Sequence, residues 1–233
     1  MPAENKRRAL ILFCRYPRPG RVKTRLAAGI GTEAAATLYA CFLRDLAATA
    51  SRCGARRYVF HTPPRADGKA LKKLLGVSAD YICQRGSDLG ARMDSAFKRV
   101  FREGAAAAVI IGSDSPDLGV PELKKAFSRL ADRGAVIGPA FDGGYYLLGF
   151  RRGDYMPEVF TGITWSGPEV YEDTLRKLKS AAITTAILRR RHDVDTLADL
   201  QTFRRRNKAR RGRAPLTMKA LACGIKALGK DSS

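Results

Sequence analysis

"ALILFCRYPRPGRVKTRL", Ala9 to Leu26, opens with six apolar residues and continues with two prolines, a glycine and five cationic side chains. An apolar run this short, with no polar alternation and stopped by proline and glycine, reads as a strand buried on both faces. Such strands belong to parallel sheets covered by helices, in which ligands bind outside the carboxyl ends of the strands. Positive charge therefore gathers where a ligand would sit.

The rest of the chain repeats this alternation. Strands are expected at Ala9–Cys14, Arg57–His61, Asp80–Gln84, Ala107–Ile111, Ala135–Ile137 and Ile183–Leu188. Between them, Glu33–Ala50 places Leu38, Phe42 and Leu46 on one face, and Leu89–Phe101 does so with Met93, Phe97 and Val100. Pro121 stands where the first turn of a helix to Asp132 needs no backbone donor. With 233 residues and 45% hydrophobic content, the chain can bury one sizeable core. The expectation is a single α/β domain, a mostly parallel sheet with helices on both faces. No internal repeat is visible.

The formal net charge is +21, with ten Lys/Arg and one acid in Arg204–Ser233. Such a balance favours an anionic partner and chooses none. Five cysteines, an odd number with no Cys-x-x-Cys pair, and two histidines argue against a thiolate or zinc site. The amino-terminal segment is too short in apolar residues for a signal peptide or a membrane span, so a reduced, cytoplasmic protein is expected.

Each strand is followed by a distinct motif. After the first, Pro17 and Pro19 remove two amide donors, and the pattern G-x-x-x-x-G-K-[ST] is absent, so a Walker-type backbone cradle is not available. Binding falls to the Gly20–Arg21 amides and to the side chains of Arg18, Arg21, Lys23 and Arg25, a seat for a polyphosphate. After the third comes "QRGSDLGARMDSAF": Gln84 can pair with a nucleobase edge, Gly86 and Gly90 allow backbone to approach a ring, and Ser87 or Asp88 can cap a helix. After the fourth, "IIGSDSPDL" delivers Asp114 at the end of an apolar run, where a carboxylate can hold Mg²⁺ or Mn²⁺ together with substrate phosphates. Asp142, before two glycines, and Asp193 and Asp195, before a helix, share the same edge, and capping is the plain reading of Asp195-Thr196. "TWSGPEV" holds the lone Trp165, then Ser166 as a helix cap and Pro168 in its first turn.

Taken in order, "FCRYPRPGRVKTRLA", "QRGSDLGARM", "IGSDSPDL", "GPAFDGGYYLLGF", "TWSGPEV" and "DVDTLADL" resemble a bacterial family of nucleotide-diphospho-sugar transferases of GT-A fold. Some of its members are assigned as glycosyltransferases associated with arsenosugar biosynthesis. The resemblance spans about residues 8 to 203 and extends, more distantly, to phospholactate guanylyltransferases and molybdenum-cofactor nucleotidyltransferases. It implies that Lys23 and Arg25 hold donor phosphates and that Gln84, Asp88 and Gly90 lie near the base and ribose. It further implies that Asp114 binds the metal, that Asp193 or Asp195 approaches it from the other side, and that Asp142, Gly143 and Gly144 form the acceptor-side loop. The usual Asp-x-Asp spacing is replaced by Asp114-Ser115-Pro116-Asp117, which leaves Asp117 as a turn or cap residue.

The expected chemistry is stabilisation of a leaving diphosphate by Lys23, the basic loop and the metal, with Asp142 as general base for a hydroxyl acceptor. Trp165 is a candidate stacking surface for a small-molecule acceptor. Three functions follow: transfer from a nucleotide-sugar, nucleotidyl transfer from a nucleoside triphosphate, which the dense cations from Arg15 to Arg25 suit at least as well, or nucleic-acid binding on an inactive scaffold. No aromatic residue interleaves the basic tail, which disfavours nucleic acid. The transferase domain is expected to end at 206, with 207–233 a basic tail containing at most a short, loosely docked helix, so that deleting Asn207–Ser233 leaves the fold intact.

Overall fold

The apolar run Ala9–Cys14 forms the body of strand β1 (Arg8–Cys14) in a computed structural model that describes residues 7–65, 67–165, 167–209 and 212–223. Its side chains alternate between two cores. Leu10, Leu12 and Cys14 enter one, and Ala9, Ile11 and Phe13 the other, so the sequence run is continuous because both faces of the strand are covered.

After β1 come helices α1 (Thr24–Ile30) and α2 (Thr32–Ser51), then β2 (Arg56–His61), α3 (Asp67–Leu75), β3 (Asp80–Cys83), α4 (Leu89–Arg102) and β4 (Ala107–Ile111). The second half holds α5 (Val120–Arg129), β5 (Ala135–Pro139), β6 (Tyr145–Arg151), α6 (Val170–Ser180), β7 (Thr185–Ile187), α7 (Leu197–Asn207) and α8 (Pro215–Ala222). The seven strands lie in the order β3-β2-β1-β4-β6-β5-β7, all parallel except β6, which runs antiparallel between β4 and β5. The fold is α/β, a mostly parallel sheet with helices on both faces: α1, α2, α3, α5, α7 and α8 pack on one side and α4 and α6 on the other. The chain steps outward from β1 to β2 and β3, then returns to the opposite side of β1 with β4. Neighbouring strands whose connections leave in opposite directions open a crevice at their carboxyl ends.

Strand β6 is not among the strands expected above. Its run "YYLLGFR" follows a glycine turn and reads in sequence as the end of a loop motif, yet Tyr146 to Phe150 are buried and complete the ladder between β4 and β5. Helix α6 begins at Val170 rather than beside Pro168, and Ser166, the expected cap, lies outside the described residues.

The carboxyl-terminal segment also departs from expectation. Asn207 is the last residue of α7 and is buried, donating to Asp117 Oδ2 at 3.2 Å and to the Phe203 carbonyl at 3.0 Å. Helix α8 docks on α2, where Asp45 caps it: the carboxylate accepts from the Leu216 and Thr217 amides at 3.0 and 2.9 Å and from the Thr217 hydroxyl at 2.7 Å. Thr217 and Ala220 are fully buried, and Leu216, Met218 and Leu221 pack on the core. A boundary at 206 therefore cuts packed structure, because an acidic side chain of α2, invisible to a search for apolar period, holds the segment. The sequence offers a weak apolar stripe of Met218, Leu221, Ile225 and Leu228 in this segment, of which Ile225 and Leu228 lie outside the described residues.

Candidate active site

At the carboxyl ends of β1 and β4 the crevice is a cleft of about 520 Å³. Arg15, Arg21, Lys23 and Arg25 line it from the β1 side, Gln84 from β3, Ser113 and Asp114 from β4, and Asp195 from the loop before α7. Two elements are pinned together at its base. The Tyr39 hydroxyl accepts from the Arg15 amide at 3.2 Å and shares a 2.8 Å hydrogen bond with Ser113 Oγ, joining the exits of β1 and β4. Burial pushes this phenol far above its ordinary pKa, so it stays neutral.

Lys23 is the centre of the cleft. It adopts the left-handed conformation, φ 48° and ψ 46°, as the residue before α1. That conformation is costly for a side chain with a Cβ and turns it inward. The ammonium lies over the rings of Tyr39 and Phe42, and the side chain is 4% exposed. Its Nζ donates to Asp114 Oδ1 and, at 2.7 Å, to Asp195 Oδ1, while Arg25 donates to Asp195 Oδ2 at 2.8 Å. Burial lowers the Lys23 pKa, but the two carboxylates outweigh burial and raise it above the ordinary lysine value. Asp195 mirrors this: burial pushes it up, and Lys23 and Arg25 more than reverse that. Helix α7 is capped by Thr196 with Asp199 in a reciprocal capping box. Capping thus belongs to the residue after Asp195, which leaves Asp195 for the cleft.

Around this ion pair the acids outnumber the cation. The Val194 amide donates to the Asp114 carbonyl at 2.9 Å, which brings the Asp193–Asp195 loop against the end of β4. Asp193 accepts from Ser115 Oγ at 2.8 Å. Burial, then the neighbouring charges of Asp114, Asp142 and Asp195, push its pKa up to about 7. Asp142 accepts from the Gly144 amide at 2.9 Å and is exposed. Gly143 has φ +93°, and a Cβ there would lie 1.8 Å from the Pro168 carbonyl oxygen, so this turn requires glycine. Among the described residues no group of three or more His, Cys, Asp or Glu side chains forms a ready metal cage. The donor set still fits a hard divalent ion, which needs only one or two carboxylates with waters and phosphates. Asp114 is 45% exposed and Asp193 is crowded by like charges, whereas both oxygens of Asp195 are already engaged.

Other residues expected at the site lie at varying remove from it. The exposed Arg15 and Arg21 guanidiniums have no partner among the described residues, and Gly20, at φ +71°, turns the loop between them. Arg18 is committed to the buried Asp67 at 2.5 Å. Gln84 is buried and its amide donates to the Phe60 carbonyl at 2.9 Å, leaving its oxygen for a ligand. Asp88 caps α4, accepting from the Ala91 amide at 2.8 Å. Gly90 faces the Trp165 ring rather than the cleft: a Cβ would lie 2.4 Å from Cζ2. Trp165 itself is half-buried against Phe160 and lines no part of the cleft. Asp117 is a structural acid, as its spacing suggested, 1% exposed and paired with Arg191 at 3.0 Å and Arg206 at 3.1 Å. Two further lining residues, Leu89 and Arg92, stand in the first turn of α4. Their i, i+3 spacing just after the Gln84 loop is the signal that could have found them.

The family model described as "Uncharacterized protein conserved in bacteria (DUF2064)" matches residues 45–167. A protein from Desulfovibrio desulfuricans G20 assigned as a nucleotide-diphospho-sugar transferase is 36% identical, with 96% of this chain and 98% of that one covered and a TM-score of 0.88. At 12% identity, a cytidylyltransferase from Leptospira borgpetersenii serovar Hardjo-bovis (strain JB197) shares the fold over 98% of both chains, with a TM-score of 0.55. Rv0371c from Mycobacterium tuberculosis H37Rv, solved in complex with manganese, shares it at 16% identity and a TM-score of 0.51, over 84% of this chain and 97% of that one. No curated protein matches the chain.

Proposed function

Because the chain belongs to the bacterial family DUF2064, and because its cleft buries a lysine ammonium between two aspartates, we propose that it is a metal-dependent transferase whose donor is a nucleotide-sugar. The buried ion pair carries this reading. A cation that burial disfavours is held charged by its carboxylate partners at the switch point of the sheet, facing a partly exposed carboxylate. The relative from Desulfovibrio desulfuricans G20 assigned as a nucleotide-diphospho-sugar transferase supports the choice of donor.

In this mechanism Lys23 and Arg25 donate to the phosphates, and Arg15 and Arg21 extend the cationic surface along the loop. Asp114 and Asp193 would hold a Mg²⁺ or Mn²⁺ ion, which when bound would neutralise charge on the diphosphate. Asp195 is a positioning residue, keeping Lys23 and Arg25 side by side. Gln84, Leu89 and Arg92 form the wall for the base and ribose. Asp142, fixed by its own turn, takes the proton of a hydroxyl acceptor. Preorganised charge does most of the work.

One observation favours a second reading. Arg15 and Arg21, whose guanidiniums have no partner among the described residues, provide more positive charge than a diphosphate needs, which suits nucleotidyl transfer from a triphosphate. Calorimetric titration of nucleotide-sugars and nucleoside triphosphates, with and without Mn²⁺, separates the two. Metal and nucleotide should each tighten the other, and Asp114→Asn should remove that coupling. Tighter binding of a triphosphate would favour the second reading. Binding of single-stranded nucleic acid with no nucleotide binding in either condition would end both.

A further inference from the structure

Beyond Tyr146, which forms part of both walls, lies a second cavity of about 500 Å³ that the mechanism leaves unused. The segments after β5 and β7 build it by pairing with each other: the Phe141 amide donates to the Arg191 carbonyl and the Arg191 amide to the Pro139 carbonyl, both at 3.0 Å. This register sets Phe141 beside His192, ring on ring at 3.9 Å and 16°, one residue before Asp142 and Asp193. Phe141 is 54% exposed, although aromatic rings of its size are ordinarily covered. Arg190 lies over Phe141 at 5.7 Å and over Tyr171 at 5.9 Å, so stacking places its guanidinium while its N–H donors stay uncommitted to any carboxylate among the described residues. Arg189 and Lys125 on the same wall likewise have no acidic partner among the described residues. The two acids present, Asp117 and Glu122, are already paired with arginines. Arg191 Nε and Arg206 Nη1 are buried without an acceptor, a state that a bound oxygen would relieve.

An exposed ring with uncompensated guanidiniums around it is complementary to a ligand that has a flat or cyclic body and an anionic group. We propose that this cavity is the acceptor site and that the acceptor is a ring-bearing anion, a phosphate or carboxylate. The assignment to the acceptor rests on the transferase reading; the existence of the site does not. The ligand's ring lies on Phe141, its charge meets Arg189 and Arg190, and its far end reaches past the Phe141–His192 pair toward Asp142.

Titration of the full chain with 4-nitrophenyl phosphate tests the site, with inorganic phosphate as the ring-free probe and 4-nitrophenol as the charge-free one. The aryl phosphate should bind more tightly than either. Phe141→Ala should weaken it by about tenfold and leave inorganic phosphate unchanged; the Arg189→Gln/Arg190→Gln double variant should weaken both anions. All three side chains are exposed, so an unchanged thermal midpoint is expected and guards against misfolding. Nucleotide affinity in the main cleft should not move. Equal affinity of wild type and Phe141→Ala for the aryl phosphate, or its displacement by the nucleotide from one shared site, would overturn the proposal. If no nucleotide binds while the aryl phosphate still depends on Phe141, the acceptor role falls and the transferase reading has failed separately.

Discussion

Asp114 and Asp117 are three residues apart, and replacing each with Asn should give opposite phenotypes. The Asp117 carboxylate is 1% exposed and faces Arg191 at 3.0 Å, Arg206 at 3.1 Å and Asn207 at 3.2 Å. Neutralising it strands two guanidiniums that are only 14% and 20% exposed. Breaking such a buried network by removing one partner costs about 3–5 kcal/mol. Arg191 keeps Glu122 at 3.3 Å, and Asn keeps the shape, so the lower end applies here. In a chain of this length about 3 kcal/mol lowers the thermal midpoint by roughly 10 °C. Asp114 is 45% exposed, and its one ion-pair partner, the buried Lys23, keeps Asp195 at 2.7 Å, so its loss should cost about 1 kcal/mol, well below the loss of Asp117. Denaturant melts give stability, and calorimetry at a temperature where both variants are folded gives the coupling of Mn²⁺ to nucleotide. Asp114→Asn should melt like wild type and lose the coupling; Asp117→Asn should melt early and keep it. The reverse pattern would refute the division of labour between chemistry and scaffold.

The same acid sets an acid limit. Burial raises the Asp117 pKa, Arg191 and Arg206 more than reverse this, and the folded value lies below the ordinary one. Its contribution is therefore present above the unfolded value of about 3.9 and lost as pH falls through the folded one. Between neutral and strongly acid pH, the denaturant midpoint of Asp117→Asn should fall less steeply than that of wild type. Truncation before Gly212 removes the Leu216, Met218 and Leu221 contacts and the Asp45 cap. It should cost about 3 kcal/mol, read as an earlier cooperative melt; an unchanged melt would restore the loosely docked tail. Gly143→Ala meets both a positive φ and the Pro168 carbonyl, and should lose at least about 2 kcal/mol while disturbing the Asp142 turn. Lys23→Ala should weaken nucleotide binding by about tenfold or more, the loss of one charge-assisted hydrogen bond, seen in the same titration.

Much of the architecture could be read in the chain because local rules and tertiary packing agree. The run Ala9–Cys14 has no polar alternation, and its residues divide evenly between the two cores. Asp88 caps α4 and Pro121 opens α5 as their types require. Strand β6 escaped because its antiparallel place between β4 and β5 depends on register with strands far away, and its apolar run follows a glycine turn with no connecting segment to mark it. A short helix was expected in the tail, but the docking of α8 escaped because what holds it is Asp45, 171 residues from Leu216.

The site divides along the same line. Residues placed by the backbone end of a strand were found: Arg15 after β1, Gln84 after β3 and Asp114 after β4 all line the cleft. The direction of the α4 face was not legible. Asp88 and Gly90 were read toward the nucleotide, but the helix turns those positions to a cap and to Trp165, and it is Leu89 and Arg92 that face the opening. A period of 3.6 fixes which positions share a face, but not which face meets the cleft. The choice of partner is harder still. Lys23 reaches Asp114 and Asp195 across sequence separations of 91 and 172 residues. Its unusual backbone conformation, which aims the ammonium, leaves no trace in residue type, since glycine or asparagine would be the usual occupant. The result is a buried cation at the centre of the cleft, held by two carboxylates that come from distant parts of the chain.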